Sequence, residues 1–519
     1  MWPGDTGTTG LSTSGPSTDP FNRDFAVQAM TPAWQTMYAV TSGTEYLRWN
    51  APLYLPREPR EDEDAYNARV NRSVLSPYTT RLIENAAGTV LRRPIRIQGD
   101  DYWEEFSENV DGLGSSINEY ARRALVSSLT FGHSGILVDY PRDPGVLTLA
   151  EERALRRRPY FNNIDAPQIW GWRQENTLPS SDLTQLRIHE WVTIPEGDYG
   201  EERVEQIRVI YRNRYEVFRR SGPGSGIRTE RVAGGRLPLG RIPFVPIYSN
   251  RLGMLTSAPL MLDIANLNLA HYQRQADIIH ALHIAAMPIL VLEGWEDVPD
   301  TSVGVNYAMA MTPGNKAYYV NADASSFAAQ SNELQQLESQ MSFLGITKLL
   351  GQKFVAESAD AKRIDQAQAN SVMSIIAMEL ESCLNQAYQL AAAYIGIEPP
   401  EITIDKDFDF YRLLGQDIAV LNDLRSAGAV SDETFLKILR QGEILPDTVD
   451  LDEELENLVR KQAEQAAMAA MTAPAPTESN APAAAPSEPA GAAEPDLRAV
   501  MEERLRRLAS RQNETEDED

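Results

Sequence analysis

The stretch from Ala258 to Ile397 constrains the fold most, because two helical runs in it flank a short strand-rich insert. Apolar residues spaced three and four apart predict the first helix from Ala258 to about Ala286 and the second from Ser331 to Leu350. The insert, residues 287–330, holds two β-rich runs, MPILVLEG and KAYYVNA, separated by turns that contain glycine and proline. It is too short to bury a core of its own, so we expect it to pack against other copies of the chain.

A polar break at residues 351–364 follows the second helix, and a long helix is predicted from Asp365 to about Ile395. Apolar residues recur through this helix at a spacing of three or four, which marks one buried face. The single cysteine, Cys383, lies on that face, and we interpret it as a small buried side chain rather than a nucleophile. A chain with one cysteine forms no internal disulfide, which suits a reducing cytoplasm.

The sequence as a whole predicts an α+β fold that is mainly helical. Residues 31–256 indicate helices beside an antiparallel sheet, because Leu183–Ile194 and Glu205–Arg220 alternate and are rich in β-branched and aromatic residues. Four aromatic residues of this region are interpreted as sheet core rather than as surfaces for base stacking: Trp170, Trp172, Trp191 and Tyr211.

Both ends of the chain are predicted to be flexible. Residues 1–30 form an N-terminal arm rich in Gly, Ser, Thr and Pro, and residues 467–519 form an acidic tail after an Ala/Pro-rich linker. Between them, residues 365–412 carry the long helix and one strand back to the first region. Residues 413–466 predict two short helices, the second starting at Ser431.

The formal net charge of −26 argues against an ordinary DNA-binding domain, which carries a basic patch. The longest apolar run, around Ala285–Leu292, is far shorter than the roughly 20 residues that span a bilayer. The first residues have neither the basic nor the apolar region of a signal peptide. We therefore expect a protein without a membrane segment.

Catalytic motifs fail at one or more positions. His189-Glu190 begins like a zinc-protease motif, but Thr193 stands where the second histidine is required. The run GHSGI at residues 132–136 lacks the final glycine of a nucleophile elbow, and no Walker A loop occurs. We therefore expect a protein that is not an enzyme and that has no catalytic residues and no cofactor.

Two sets of residues carry side chains that can bind metal ions. His280 and His283 lie on one helix with His271, yet a histidine pair without cysteine or a clear carboxylate partner is more typical of a helix surface or interface. The acidic cluster Glu61–Asp64 is better interpreted as the solvated first turn of a helix. We expect no metal site.

Three phrases in this order resemble a family of tailed-bacteriophage portal proteins. They are YLPREPREDEDAYNARVNRSVLSPYTTRLIENAAGTVLRRPI at Tyr54–Ile95, LNLAHYQRQADIIHALHIAAMPIL at Leu267–Leu290 and SADAKRIDQAQANS at Ser358–Ser371. The resemblance covers roughly Ala33 to Val459.

The resemblance implies a fold with wing, stem, clip and crown. The helices 257–286 and 331–350 would be the stem, 287–330 the clip, 351–364 the tunnel loop, and 413–466 the crown. It further implies a dodecameric ring at one capsid vertex, through which double-stranded DNA is packaged and ejected without sequence specificity. The implied partners are the terminase large subunit, a head–tail adaptor and the major capsid protein. The implied location is the virion, and the host cytoplasm during assembly.

The tunnel loop supplies the candidate DNA contacts. Its cationic and amide residues are Lys348, Gln352, Lys353, Lys362 and Arg363. A ring of such loops would present these groups to DNA phosphates. For Lys353, contact with DNA and a purely structural role are equally well supported by the sequence. Lys362 and Arg363 are better explained by ion pairs with Asp360 and Asp365 at the start of the long helix.

Two other functions compete with the portal. Another capsid or adaptor ring protein would share the acidity and solubility but not the order of helix, insert, helix, loop and long helix. A DNA-processing enzyme would need a carboxylate or histidine constellation and a basic surface, which this sequence lacks.

Overall fold

The structure is a computed structural model that describes residues 18–141, 158–175, 182–221, 228–285, 289–293, 314, 316–320, 325–349, 359–406, 415–426, 429–441, 444–445, 449, 454–457 and 460–461. The first seven helices are α1 Phe25–Thr41, α2 Thr44–Trp49, α3 Ala51–Tyr54, α4 Glu63–Arg72, α5 Tyr78–Val90, α6 Asp101–Ser107 and α7 Ile117–Phe131. The later helices are α8 Leu262–Ala285, α9 Ser325–Leu349, α10 Ala359–Ile395, α11 Gly415–Ser426 and α12 Asp432–Gln441.

The strands up to the main sheet are β1 Arg96–Gln98, β2 His133–Asp139, β3 Tyr160–Asp165, β4 Ile169–Gln174, β5 Leu183–Glu196, β6 Gly200–Tyr211, β7 Arg214–Ser221 and β8 Arg228–Arg236. The others are β9 Phe244–Tyr248, β10 Arg251–Gly253, β11 Thr256–Ser257, β12 Ile289–Glu293, β13 Lys316–Val320 and β14 Glu401–Thr403. Helices and strands thus mix in one chain, which confirms the predicted α+β class.

The largest sheet is an antiparallel meander of five strands in the order β4-β5-β6-β7-β8. Its second predicted run, Glu205–Arg220, proves to be two strands, since the polar pair Arg212-Asn213 makes the turn between β6 and β7. Trp170 is buried as expected. Trp191 is 40% exposed, because half-buried and exposed side chains alternate along the second half of β5. The interpretation of Trp191 as sheet core is therefore wrong.

The N-terminal arm was predicted to reach residue 30, yet the chain is already packed from Phe21 onward. Phe21 and Val27 are buried, and α1 begins at Phe25. The Asp24 carboxylate accepts hydrogen bonds from Arg187 Nη2 at 2.6 Å and from the Trp172 backbone N–H at 3.0 Å. Buried aromatic surface and a paired charge outweigh the polar composition of the segment. Residues 1–17 lie outside the described part of the chain.

A helical body packs on the three-stranded sheet β3-β2-β9, whose central strand β2 is almost wholly buried. The core of this body joins α1, α5, α7, α8 and α10, with an aromatic cluster of Trp103, Phe106, Phe161 and Tyr388 at its centre. The Tyr388 hydroxyl lies 2.6 Å from Ser107 Oγ, which satisfies both buried polar groups. Cys383 is buried against β9, as predicted.

The helices α11 and α12 belong to a second compact unit, residues 411–519. The Ser431 hydroxyl accepts a hydrogen bond from the Thr434 N–H at 3.2 Å, and α12 begins at the next residue, Asp432. Arg425 of α11 pairs with Asp432 at 2.5 Å and lies over the Phe435 ring. The predicted tail, residues 467–519, lies outside the described residues.

Within the described residues, no helix has both the length and the apolar character needed to cross a membrane.

Candidate functional site

The helix–insert–helix feature found in the sequence is a hairpin of α8 and α9. With 24 and 25 residues, the helices extend about 36 Å and 38 Å. Two cross-helix pairs fix their antiparallel register: His271 Nε2 to Glu338 Oε1 at 3.1 Å, and Arg274 Nε to Glu333 Oε1 at 3.3 Å.

The ends of these helices differ from the expected ones. α8 begins at Leu262 rather than Ala258, because β11 and Pro259 precede it. α9 begins at Ser325, six residues before the predicted Ser331, since SSFAAQ contains good helix formers and neither glycine nor proline.

A buried arginine anchors the hairpin to the body. The Arg69 side chain, 5% exposed, donates two hydrogen bonds to Glu61, from Nε and Nη2, each at 2.8 Å. It also donates to the Pro56 carbonyl at 2.9 Å and to Asp277 of α8 at 3.0 Å. The hydrogen bonds from Arg69 hold the pKa of Glu61 below its ordinary value, whereas burial raises that of Asp277 despite its contact with Arg69.

Glu61 therefore does not belong to a solvated helix turn, as the sequence suggested, because its side chain is only 10% exposed and is paired. Asp62 is the residue that caps α4, accepting a hydrogen bond from the Ala65 N–H at 2.7 Å.

Neutral groups complete the anchor at two positions of α8 that lie five and nine residues before Asp277. Tyr272 places its hydroxyl 2.8 Å from Ser73 Oγ, and Asn268 Oδ1 accepts from the backbone and the hydroxyl of Thr79. On α9, Gly345 allows close contact with α5, because a Cβ there would lie 2.4 Å from Leu82 Cδ1. The base of the hairpin is thus packed, and the buried side chains of Arg69, Tyr272 and Asn268 are hydrogen-bonded there.

The insert between α8 and α9 contains a two-stranded antiparallel ribbon. β12 and β13 pair from Ile289 opposite Val320 to Glu293 opposite Lys316, and the last two side chains form an ion pair at 3.6 Å. No third strand joins this ribbon among the described residues. A lone two-stranded ribbon is marginally stable in water, so it gains from further packing partners.

α10 begins earlier than predicted. The helix starts at Ala359, so Lys362 and Arg363 belong to its first turns and not to a loop ending at residue 364. The reason is local: the Ala-rich run ADAKRIDQAQ favours helix, and no glycine or proline interrupts residues 359–395. Lys348 lies in the last turn of α9, and Gln352 and Lys353 lie outside the described residues.

Two of the α8 histidines, His271 and His280, have separate partners. His271 is buried between Glu338 and the Tyr78 ring, and His280 Nδ1 lies 3.4 Å from an Arg72 nitrogen. Across the described residues no group of three or more His, Cys, Asp or Glu side chains is placed to hold a metal ion. His189 instead stacks on Trp170, with ring centroids 4.0 Å apart, and pairs with Glu205 at 3.0 Å.

A cleft of about 1870 Å³ separates the five-stranded sheet from the end of α10. On its floor Arg208 lies between Asp139 at 2.8 Å and Glu190 at 3.1 Å. Arg208 neutralises one of the two carboxylate charges, and these three side chains include no nucleophile with an adjacent base. Sequence reasoning missed this cluster and the Arg69 anchor, because both join residues distant in the chain.

The comparisons with known proteins address the same region. A family model described as "Domain of unknown function (DUF4055)" matches residues 259–395, which span α8 to α10. No curated protein matches the chain.

Among solved structures, the chain is similar to one described as "Virion of native gene transfer agent (GTA) particle", at 15% identity and a TM-score of 0.36, over 77% of this chain and 99% of that one. It is also similar to one described as "Neck of native GTA particle computed with C12 symmetry", at 13% identity and a TM-score of 0.36, over 70% and 89%. Likenesses this weak establish neither the fold nor the function of the chain.

Proposed function

We propose that this chain is a portal-type subunit, copies of which close into a ring that conducts double-stranded DNA into and out of a virion. The observation that carries the proposal is the hairpin of α8 and α9, tipped by the β12–β13 ribbon and followed by α10. That order matches the stem, clip, stem and wing helix implied by the sequence resemblance.

The surface of α9 supports a conduit. Its exposed residues are mostly uncharged amides and hydroxyls: Gln330, Ser331, Asn332, Gln335, Gln336, Ser339 and Gln340. Facing a ring axis, such a surface offers hydrogen bonds without fixed positive charge. Together with the net charge of −26, it would let a polyanion slide without adhering.

The proposal extends to residues and partners. Lys348, Lys353, Lys362 and Arg363 with Gln352 would meet DNA phosphates near the narrowest part of the channel. The ribbon would receive the terminase large subunit during packaging and a head–tail adaptor afterwards, and the major capsid protein would surround the wing. In this role the chain is not an enzyme, and the ATPase is a separate protein.

Electron microscopy of the purified full chain, combined with native mass spectrometry, tests ring formation. We expect wide rings with a central hole, twelve-fold in the virion. A variant in which Ile289–Val320 is replaced by a short Gly/Ser turn should keep its helix content by circular dichroism but close rings poorly. Compact monomers from the full chain at all concentrations would overturn the proposal, and rings without a hole would favour the adaptor alternative.

The channel residues need a test in assembled particles. Replacing Lys353, Lys362 and Arg363 by alanine should leave the rings intact but lower the yield of nuclease-protected DNA. Lys437→Ala in α12 is the matched control, since this exposed lysine pairs only locally, with Glu433 at 2.6 Å. Equal DNA yields from the triple variant and the control would exclude a role in DNA passage.

A further inference from the structure

The β5–β6 hairpin extends beyond the rest of the five-stranded sheet. β4 pairs with β5 only as far as Ile188, and β7 pairs with β6 only from Gln206 onward. Residues 191–205, the β5–β6 arm, therefore form a ribbon of two strands. A two-stranded ribbon is marginally stable in water by itself, so the arm gains from a packing partner.

The tip of the arm is acidic. Four exposed carboxylates lie there: Glu196, Asp198, Glu201 and Glu202. Among the described residues, no lysine, arginine or histidine forms an ion pair with any of the four. Arg203, the one cation of the arm, lies instead over the Trp191 ring, 4.9 Å from its centroid. The tip thus keeps its negative charge uncompensated within the described part of the chain.

The opposite end of the sheet carries more arginines than carboxylates. Arg214 of β7 lies directly opposite Arg236 of β8, and like charges at such a cross-strand position destabilise a sheet. Arg231 lies near this pair, and Glu216 shares its carboxylate between Arg214 at 3.4 Å and Arg231 at 3.6 Å. These four residues, the arginine face, therefore carry a surplus of positive charge.

Local packing positions the guanidinium groups of the arginine face. The Arg214 guanidinium lies 4.1 Å from the centroid of the Tyr211 ring. Arg231 covers Gly234, where a Cβ would lie 2.4 Å from the Arg231 Nη2 atom. Both arginine side chains nevertheless stay half exposed, at 50% and 55%. Guanidinium groups held in this way bind carboxylates with little further loss of conformational freedom.

One chain cannot join its own arm tip to its own arginine face. Along β6, Glu202 lies five residues before the level of Arg231 and nine before the level of Arg214. At about 3.4 Å per residue, these separations are about 17 Å and 31 Å. Both are far longer than the roughly 4 Å over which an ion pair forms. The two surfaces can therefore neutralise each other only between copies.

We propose that the tip of the β5–β6 arm of one copy binds the arginine face of the next copy, a contact that rests on the ring proposed above. Charge identifies the occupant, because unpaired carboxylates meet surplus guanidinium groups. Two different surfaces on each subunit give head-to-tail contacts, which close into a ring when the rotation permits. DNA fits the arginine face less well, because Glu216 lies between two of its arginines and repels phosphate.

Charge reversal on each surface tests the contact. The arm variant is Glu196→Arg/Glu201→Arg/Glu202→Arg, and the face variant is Arg231→Glu/Arg236→Glu. Each variant alone places like charges across the contact, so the protein concentration needed for rings should rise at least about tenfold in native mass spectrometry. An equimolar mixture should restore rings in which the two variants alternate, because each altered surface then meets its complement. Circular dichroism checks that each variant is folded.

The matched control is Glu104→Arg/Glu105→Arg/Glu108→Arg, which makes the same change in charge at three exposed positions on and beside α6 and should leave rings intact. A control that loses rings as the arm variant does, or a mixture no better than either variant alone, would overturn the contact.

Two further outcomes separate this contact from the proposed function. Normal rings from both variants would refute the contact but keep the ring. Normal rings from the face variant with weaker retention of duplex DNA on a filter would identify DNA as the occupant and overturn the contact as well. The absence of rings from the unmodified chain would refute the proposed function, and this contact with it.

Discussion

Replacing Arg69 by methionine tests how the hairpin is anchored. The substitution keeps much of the side-chain volume but leaves the Glu61 carboxylate, 10% exposed, without the two hydrogen bonds it receives at 2.8 Å. Removing one partner of a buried ion pair costs about 3–5 kcal/mol, because the other charge stays desolvated. We expect a loss of that size in the free energy of unfolding of the first unit, residues 1–410.

The assay is denaturant unfolding followed by tryptophan fluorescence. Arg122→Met on α7 is the control, since that arginine is exposed and should change the free energy by less than about 0.5 kcal/mol. Adding Glu61→Met to Arg69→Met should recover most of the loss, because an apolar pair of similar volume replaces the charges. A loss below about 1 kcal/mol for Arg69→Met, or a double variant no better than the single one, would refute the reasoning.

The same variant has a predicted pH signature. The folded pKa of Glu61 lies below its ordinary value of 4.5, so the stability from this pair is fully present above pH 4.5 and is lost as the pH falls through the folded pKa. In Arg69→Met the carboxylate is buried without its partner, which raises its pKa. Acidification should then restore stability to the variant while it weakens the unmodified chain.

Three further outcomes follow from packing and burial. Gly345→Ala should lower the melting temperature, since overpacking against Leu82 costs about 1–3 kcal/mol, whereas Gly88→Ala, with open space around its Cβ, should raise it through helix propensity. Burial lowers the pKa of His133 from 6.5 to about 4, so the chain should lose about 3 kcal/mol of stability as the pH falls from 6.5 to 4; His133→Gln should abolish this slope in pH-dependent unfolding. Burial raises the pKa of the Cys383 thiol, so it should react with a disulfide reagent only on unfolding, and fast labelling of the native chain would contradict its burial.

Local patterns in the sequence were sufficient to predict the main helices and strands, but not the ion pairs and buried side chains that hold them together. Periodicity predicted α8, α9 and α10, and alternation predicted the antiparallel strands, because both signals depend on neighbours within a few residues. The start of α10 was placed six residues late, since Asp365 resembles a helix start while the Ala-rich run before it is equally helical.

Contacts distant in the chain left no such local signal. Glu61 looked like one more acid of a solvated turn, and only the fold shows that Arg69 and Asp277, 208 residues apart, share one network. Phe21 and Asp24 likewise lie in a segment whose composition is typical of a flexible arm. Phe21 packs on Trp170 and Asp24 pairs with Arg187, and both partners belong to the five-stranded sheet.

The uninterrupted course of α10 has a mechanical consequence. Its 37 residues make a rod of about 55 Å, and the absence of glycine and proline leaves no point at which it can bend cheaply. Tyr388 near one end is held by three aromatic rings and by Ser107. Met373, Ile376 and Leu380 hold the middle of α10 in the core, so the lever is the roughly 21 Å before Met373, and a tilt of about one degree there displaces Ala359 by roughly 0.4 Å. A change in the angle of α10 within the core therefore also displaces its first turn, at Ala359.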